Sequence, residues 1–168
     1  LVGHGAILSD AGKAVKALAE KLQIPVTNTL LGKGSFPETH DLSLGMLGMH
    51  GNPAANYAVQ DCDLLIVAGA RFDDRATGKL STFAPKAKVL HLDIDAAEIG
   101  KLRNADVGLS GKICENLLAL AQPLHIADWQ NKCRAMKTQH AERYDAPGDG
   151  VFAPALLIGA LCGVLFAG

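Results

Sequence analysis

Residues 63–70 form an almost unbroken apolar run, and this run constrains the fold more than any other feature of the sequence. Strands of this kind are covered on both faces, as in parallel sheets flanked by helices. Further strands are predicted at Val2 and at residues 24–29, 89–95 and 107–109, with helices at residues 14–22, 53–60, from 97, 113–121 and 129–142. Because each parallel return needs a crossover, this alternation predicts an α/β fold with a doubly wound parallel sheet of about six strands and helices on both faces.

Length and composition limit the classes of partner. The 168 residues suit one domain, predicted at 1–145, followed at 146–168 by a connector and the truncated start of the next domain. The formal net charge of -1 disfavours nucleic acid and anionic membranes as partners. The four cysteines are far apart, which favours a reducing, cytoplasmic location. Since metal-ligand spacings and nucleophile motifs are also missing from the sequence, we predict no catalytic and no metal-binding residues.

The apolar residues at both ends of the sequence are typical of the interior of a longer protein. The sequence opens directly on an apolar strand ending at Val2. Residues 150–168 carry no charge, but Pro154 and several glycines interrupt them and no basic residue anchors the far end. We therefore predict that this tail is a helix cut from its packing partners rather than a membrane span.

Two glycine clusters follow predicted strands. Gly3 and Gly5 resemble the start of the dinucleotide fingerprint of Rossmann-like folds, but Leu8 replaces its third glycine and Thr29 stands where a ribose-binding carboxylate would end the next strand. This pattern disfavours an ordinary NAD dehydrogenase. As an alternative, the two glycines permit only a tight turn before a helix capped by Asp10.

The second cluster lies within residues 31–52, which are predicted to form a long loop. Gly48 and Gly51 precede a helix at Pro53, so a pyrophosphate could sit against their backbone amides and the helix N-terminus. In the alternative interpretation, Leu47 and Met49 are simply buried and His50 fills a turn.

Charged residues follow the apolar strand 63–70, at the start of a predicted loop 71–88. Arg71 and Arg75 offer planar forks for phosphate, and Asp73 and Asp74 accept hydrogen bonds from ribose or ring amides. Alternatively, these four side chains form only a salt-bridge cluster.

Carboxylates also end the strand at 89–95. Asp93, Asp95 and Glu98 are suitably placed for sugar hydroxyls, although Asp95 would also be a good cap for the helix expected near Ala97.

Four stretches carry a resemblance to a known family. They are LGMLGMHG at 44–51, CDLLI at 62–66, GARFDDRATGKL at 69–80 and HLDIDAAEI at 91–99. The chain closely resembles the catalytic (large) subunits of acetohydroxyacid synthases, also called acetolactate synthases, over residues 3 to about 154. Residues 128–130 and 143–149 are most similar to the bacterial isozyme II type.

The resemblance implies the central domain of a thiamine-diphosphate enzyme that condenses two pyruvates, or pyruvate and 2-oxobutyrate, with decarboxylation, in branched-chain amino acid biosynthesis. That domain holds FAD, which is not required as an electron carrier. Thiamine diphosphate and magnesium would bind outside this chain, so the chain alone is expected to be inactive. Its expected partners are FAD, the other domains and subunits of the synthase, in which two catalytic subunits would form a homodimer, and a small regulatory subunit.

Carried over by motif, the flavin site would comprise residues from five segments: Gly3, Gly5, Thr29, Leu30, Leu47, Gly48, Met49, His50, Gly69, Ala70, Arg71, Phe72, Asp73, Asp74, Arg75, Asp93, Ile94 and Glu98. Two positions depart from the family pattern. His4 stands where the family often has glycine, and Lys112 replaces an aspartate on the expected adenosine side. Two alternatives remain open: a packing module without nucleotide, and an ADP-binding middle domain of a related thiamine-diphosphate decarboxylase.

Overall fold

A parallel sheet lies at the centre of the protein, whose computed structural model describes residues 1–113, 116–117 and 124–141. Its strands are β1 (Val26–Asn28), β2 (Ser43–Met46), β3 (Leu64–Ala68), β4 (Lys88–Asp93) and β5 (Val107–Ser110). β1 pairs with β2, β3 with β4 and β4 with β5, all in parallel, while Val2 bridges Asn28 on one side and Ala68 on the other. The spatial order is therefore β2-β1-Val2-β3-β4-β5, the order of a doubly wound dinucleotide-binding sheet if Val2 counts as the first strand.

Helices cover both faces of this sheet. They are α1 (His4–Leu8), α2 (Gly12–Leu22), α3 (Pro53–Asp61), α4 (Asp74–Thr77) and α5 (Ala127–Gln139), with short 3-10 turns at Leu30–Gly32 and Leu80–Thr82. The apolar side of α2 packs with Ala68 and Leu92 in one core, whereas α3 and α5 pack with Leu65 and Val67 in a second core. Alternate residues of β3 thus enter opposite cores, which confirms the predicted α/β class with helices on both faces.

Three local predictions are wrong. β2 lies inside the predicted long loop 31–52. It was not predicted because it contains only four residues and lacks β-branched side chains. The helix expected from Ala97 is instead a series of turns. Asp10 does not cap α2: it has a left-handed φ of 51°, and Ala11 occupies the N-cap without a side-chain hydrogen bond.

Other predictions agree with the structure. α3 begins at Pro53, as predicted, and the Asn52 side chain caps it by accepting a hydrogen bond from the Ala54 amide at 2.8 Å. The predicted charged loop 71–88 is only partly correct, because it contains α4 and one 3-10 turn and its last residue, Lys88, already begins β4. The proposed domain limit near residue 145 and the apolar tail lie outside the described residues. Within the described ranges, none of the helices combines the length and apolar character that crossing a membrane requires.

Candidate functional site

The carboxyl ends of the parallel strands form the edge of the sheet where the predicted site residues lie. They follow β1, β2, Val2, β3 and β4 directly, so five chain segments meet at this edge. The strand order reverses between Val2 and β3, and open α/β sheets bind ligands in the crevice at such a switch point. The topology thus brings together all five predicted segments, including those separated by more than sixty residues of chain.

Close backbone packing accounts for three glycines at the switch point. A Cβ added to Gly3 would collide with the Gly69 carbonyl oxygen, and a Cβ on Gly69, whose φ is +61°, would lie 2.7 Å from the Gly5 Cα. The Gly5 amide also donates to the Gly69 carbonyl at 3.0 Å. These glycines are therefore required by contact between two loops of the protein itself, whether or not a ligand approaches them.

The loop after β2 uses its amides within the protein. The Gly48 amide donates to the Asn56 side chain at 2.8 Å, and the Met49 amide donates to the Arg75 carbonyl at 3.0 Å. The Gly51 amide donates to the carbonyl of Gly48 at 3.0 Å. These contacts weaken the interpretation of this loop as a backbone cradle for pyrophosphate. Of the side chains, Leu47 is buried but Met49 is 68% exposed, so the alternative interpretation, in which both are buried, holds only for Leu47.

The loop after β3 combines a buried aromatic ring with exposed charges. Phe72 is 3% exposed although its backbone has a left-handed φ of 60°, and its ring packs edge-on against Phe83 and His91 with centroids 6.0 and 5.2 Å apart. A bulky residue rarely adopts this conformation, so the tertiary packing of the ring must hold it there. The buried ring fixes the loop to the core while the flanking side chains point outward.

The charges of this loop do not form a closed salt-bridge network. Arg71 and Asp73 are paired at 3.5 Å, but both side chains are more than half exposed. The Asp74 carboxylate accepts from the Arg75 amide at 2.8 Å, and the Arg75 side chain is exposed. In the described part of the chain, the Arg71 and Phe72 amides donate to no protein acceptor. The loop therefore offers two exposed cations to an anion.

The carboxylates after β4 bind their own loop. Asp93 is buried and accepts from the Asp95 amide at 3.0 Å, and Asp95 accepts from the Ala97 amide at 2.9 Å. Glu98 pairs with Lys101 at 2.6 Å. Asp95 thus caps a turn rather than the predicted helix. Ile94, between the two aspartates, is 67% exposed.

Exposed apolar side chains also gather at the carboxyl edge. Leu30 follows β1 directly and is 68% exposed, and Met49 and Ile94, after β2 and β4, are exposed to the same degree. Thr29, beside Leu30, uses its hydroxyl oxygen to accept from the Gly32 amide at 3.1 Å. Apolar groups beside a few converging charged groups are typical of binding sites for small molecules.

One buried residue at this edge was not among the predicted site residues. His91 is 0% exposed, and its Nε2 atom lies 2.9 Å from the Ala70 carbonyl oxygen. The only sequence signal was a polar residue at an inward position of an apolar strand.

A separate apolar cavity of about 270 Å³ lies between β1, α2 and Trp129, at the amino ends of the strands. The carboxyl edge is the better candidate because several cations and carboxylates converge there, whereas Asp63 is the one charged side chain among the described residues that line the cavity. Within the described residues, no group of three or more His, Cys, Asp or Glu side chains is arranged to hold a metal ion.

Comparisons with known proteins agree with this architecture. Residues 1–120 match the model for "Thiamine pyrophosphate enzyme, central domain". The chain is 52% identical over 156 residues to the acetolactate synthase isozyme 2 large subunit of Escherichia coli K12, covering 93% of this chain and 28% of that protein. It is 57% identical over 121 residues to the acetolactate synthase large subunit of Parasynechococcus marenigrum, covering 72% and 20%. It is 45% identical over 166 residues to the acetolactate synthase of Mycobacterium bovis, covering 94% and 27%.

The chain spans about a quarter of the length of these curated relatives. The matched family model, by contrast, covers most of the chain, and the sheet order described above is that of a nucleotide-binding fold. The chain therefore belongs to the family of thiamine pyrophosphate enzyme central domains.

Proposed function

We propose that residues 1–145 of this chain form the FAD-binding central domain of an acetolactate synthase large subunit. Residues 146–168 would be a connector and the start of the next domain. The observation that carries the proposal is the convergence of exposed cations, carboxylates and apolar side chains at the switch point of the sheet. The parent enzyme would condense two pyruvates, or pyruvate and 2-oxobutyrate, with decarboxylation. Thiamine diphosphate and magnesium would bind in its other domains, so this chain alone is expected to have no activity.

The donor set fits a flavin dinucleotide. Arg71 and Arg75 are exposed and can bind a diphosphate, since guanidinium groups form charge-assisted hydrogen bonds with phosphate oxygens. Asp93 and Glu98 also bind groups of their own loop, and their carboxylates would in addition accept from ribose hydroxyls beside β4. The exposed side chain of Met49 would cover part of the flat ring. When bound, FAD would fill the crevice without serving as an electron carrier in the condensation.

The remaining predicted partners follow from the same proposal. Other domains of the synthase would cover the exposed edge, and catalytic subunits would pair as homodimers with a small regulatory subunit in the cytoplasm. Lys112, which replaces the usual aspartate of the family, would lower affinity on the adenosine side.

A titration of the purified 168-residue chain with FAD tests the proposal. Flavin fluorescence and thermal stability are measured, with ADP and NAD as comparators. Selective stabilisation by FAD is the expected result, because a ligand that binds only the folded state raises its stability by mass action. Equal stabilisation by ADP would favour the ADP-binding alternative, and no response to any nucleotide would favour a packing module.

Arginine variants sharpen this test. Arg71→Gln and Arg75→Gln should each raise the FAD Kd about tenfold, the usual effect of losing one charge-assisted hydrogen bond. Arg134→Gln is the matched control, because Arg134 is an exposed arginine on α5 that donates to Asn131 at 2.9 Å. Equal effects of all three substitutions would show that the measured binding depends on overall charge rather than on this loop.

A further inference from the structure

We propose that His91 is a positioning residue that holds the loops after β3 and β4 in register for nucleotide binding. This inference rests on the proposed function but concerns a residue that contacts no ligand. His91 lies near the end of β4 and is completely buried. It follows that its ring can act on a bound nucleotide only through the protein groups that surround it.

The first of these groups is the backbone of the loop after β3. The Nε2 atom of His91 lies 2.9 Å from the carbonyl oxygen of Ala70. A carbonyl oxygen can only accept, so Nε2 must carry the proton and donate. Ala70 immediately precedes Arg71, so this hydrogen bond fixes the start of the charged segment.

The second group is Phe72 in the same loop. Its ring stands almost perpendicular to the His91 ring, at 86° and with centroids 5.2 Å apart. Phe72 has the left-handed φ of 60°, which costs free energy unless packing compensates for it. The His91 ring is one wall of the site that holds Phe72 and thereby sets the direction of the charged side chains on either side.

The third group belongs to the loop after β4. The Gly100 amide donates to Nδ1 of His91 at 3.5 Å, a longer and weaker contact. Because an amide N–H can only donate, Nδ1 must accept, and both contacts are met together by the neutral Nε2–H tautomer. One ring therefore connects the loop of Arg71 to the turns that contain Glu98, and an apolar side chain of similar size would lose both hydrogen bonds.

The test compares three variants of the full 168-residue chain. His91→Leu removes both hydrogen bonds, whereas His91→Gln keeps one amide donor and one acceptor. Val89→Ala is the matched control, since Val89 is buried two residues earlier on the same face of β4, at its amino-terminal end. Hydrogen exchange of the Gly100 and Met49 amides is measured without nucleotide, because Met49 donates to the Arg75 carbonyl in the positioned loop.

We expect His91→Leu to speed exchange of these two amides about tenfold, the usual effect of losing one hydrogen bond. The Gly100 amide loses its acceptor directly, and the Met49 amide is affected because the loop that carries the Arg75 carbonyl loses its bond at Ala70. His91→Gln should restore most of the protection, and Val89→Ala should leave it unchanged after correction for global stability. Unchanged exchange in His91→Leu would overturn the inference.

The FAD titration separates this inference from the proposed function. If the unmodified chain binds FAD, His91→Leu should raise the Kd by the same factor of about ten, and His91→Gln by less. An unaltered Kd in His91→Leu would also overturn the inference. If the unmodified chain binds no FAD, the proposed function fails, but the exchange measurement still decides whether His91 positions the loops.

Discussion

Replacing Phe72 tests whether one buried ring holds the charged loop in place. The ring is 3% exposed and packs between Phe83 and His91. Truncating a buried phenylalanine to alanine generally costs about 3–5 kcal/mol in the free energy of unfolding. Alanine also retains a Cβ, so the left-handed backbone is not relieved, and we expect Phe72→Ala to lose about 4 kcal/mol.

A glycine at the same position separates the ring from the backbone. Phe72→Gly removes the same ring as Phe72→Ala, but glycine adopts a φ of 60° without the penalty of about 1–2 kcal/mol that other residues incur. The greater flexibility of unfolded glycine costs about 0.5–1 kcal/mol in the opposite direction. Phe72→Gly should therefore be as stable as Phe72→Ala, or slightly more stable.

Urea unfolding monitored by the fluorescence of Trp129, the one tryptophan in the sequence, measures these differences. Trp129 packs against the same core as Phe72. Tyr57→Ala is the control, because Tyr57 is 53% exposed and its loss should cost well under 1 kcal/mol, as is usual for about half-exposed surface positions. A loss below about 1 kcal/mol in Phe72→Ala, far under the range for buried rings, would refute the anchoring role. A glycine variant clearly less stable than the alanine variant would refute the left-handed backbone.

Three further predictions concern backbone packing, thiol burial and a surface ion pair. Gly69→Ala should cost at least about 1 kcal/mol more than Gly34→Ala in urea unfolding: both glycines have positive φ, but a Cβ at Gly34 meets open space. Burial raises the pKa of Cys133 to about 11, so iodoacetamide should alkylate it slowly at pH 8 in the folded chain and rapidly in urea; fast native alkylation would contradict the burial. The hydrogen bond and charge of Lys132 lower the pKa of Asp61 from 3.8, so the pair stabilises the chain above that pH and the contribution disappears as pH falls. Asp61→Asn should slightly lower the urea midpoint at pH 6 but not at pH 2, and equal effects at both would exclude the ion pair.

Long apolar strands were the most predictable part of the fold. β3 was predicted from its composition alone, because a strand covered on both faces leaves no polar position to interrupt the pattern. β2 was missed, since four residues including Gly45 carry too little pattern to separate a strand from a loop. The helix expected near Ala97 failed because the Asp95 side chain caps a turn just as it would cap a helix.

The candidate site was predictable in position but not in detail. Carboxyl ends of parallel strands lie at one edge, so the sequence alone predicts that residues following β1 and β3 meet there. The roles of individual glycines were not predictable, because the backbone that Gly3 meets belongs to Gly69, far along the chain. His91 was not predicted as a site residue for a similar reason, since its closer hydrogen-bond partner, Ala70, belongs to the loop after the preceding strand.

The position of Val2 in the sheet bears on how the chain folds. Val2 forms the backbone bridge between β1 and β3. Its own amide and carbonyl bond with Thr27 and Thr29, and its neighbours Leu1 and Gly3 bond with Ala68. The two halves of the sheet can therefore join only after the first residues of the chain have paired with partners more than sixty positions later. Closing so long a loop is slow, and until it closes each half exposes an unpaired strand edge. Refolding of this chain should accordingly be slow and prone to association through those edges, and this hazard should ease once the amino-terminal residues take their central place.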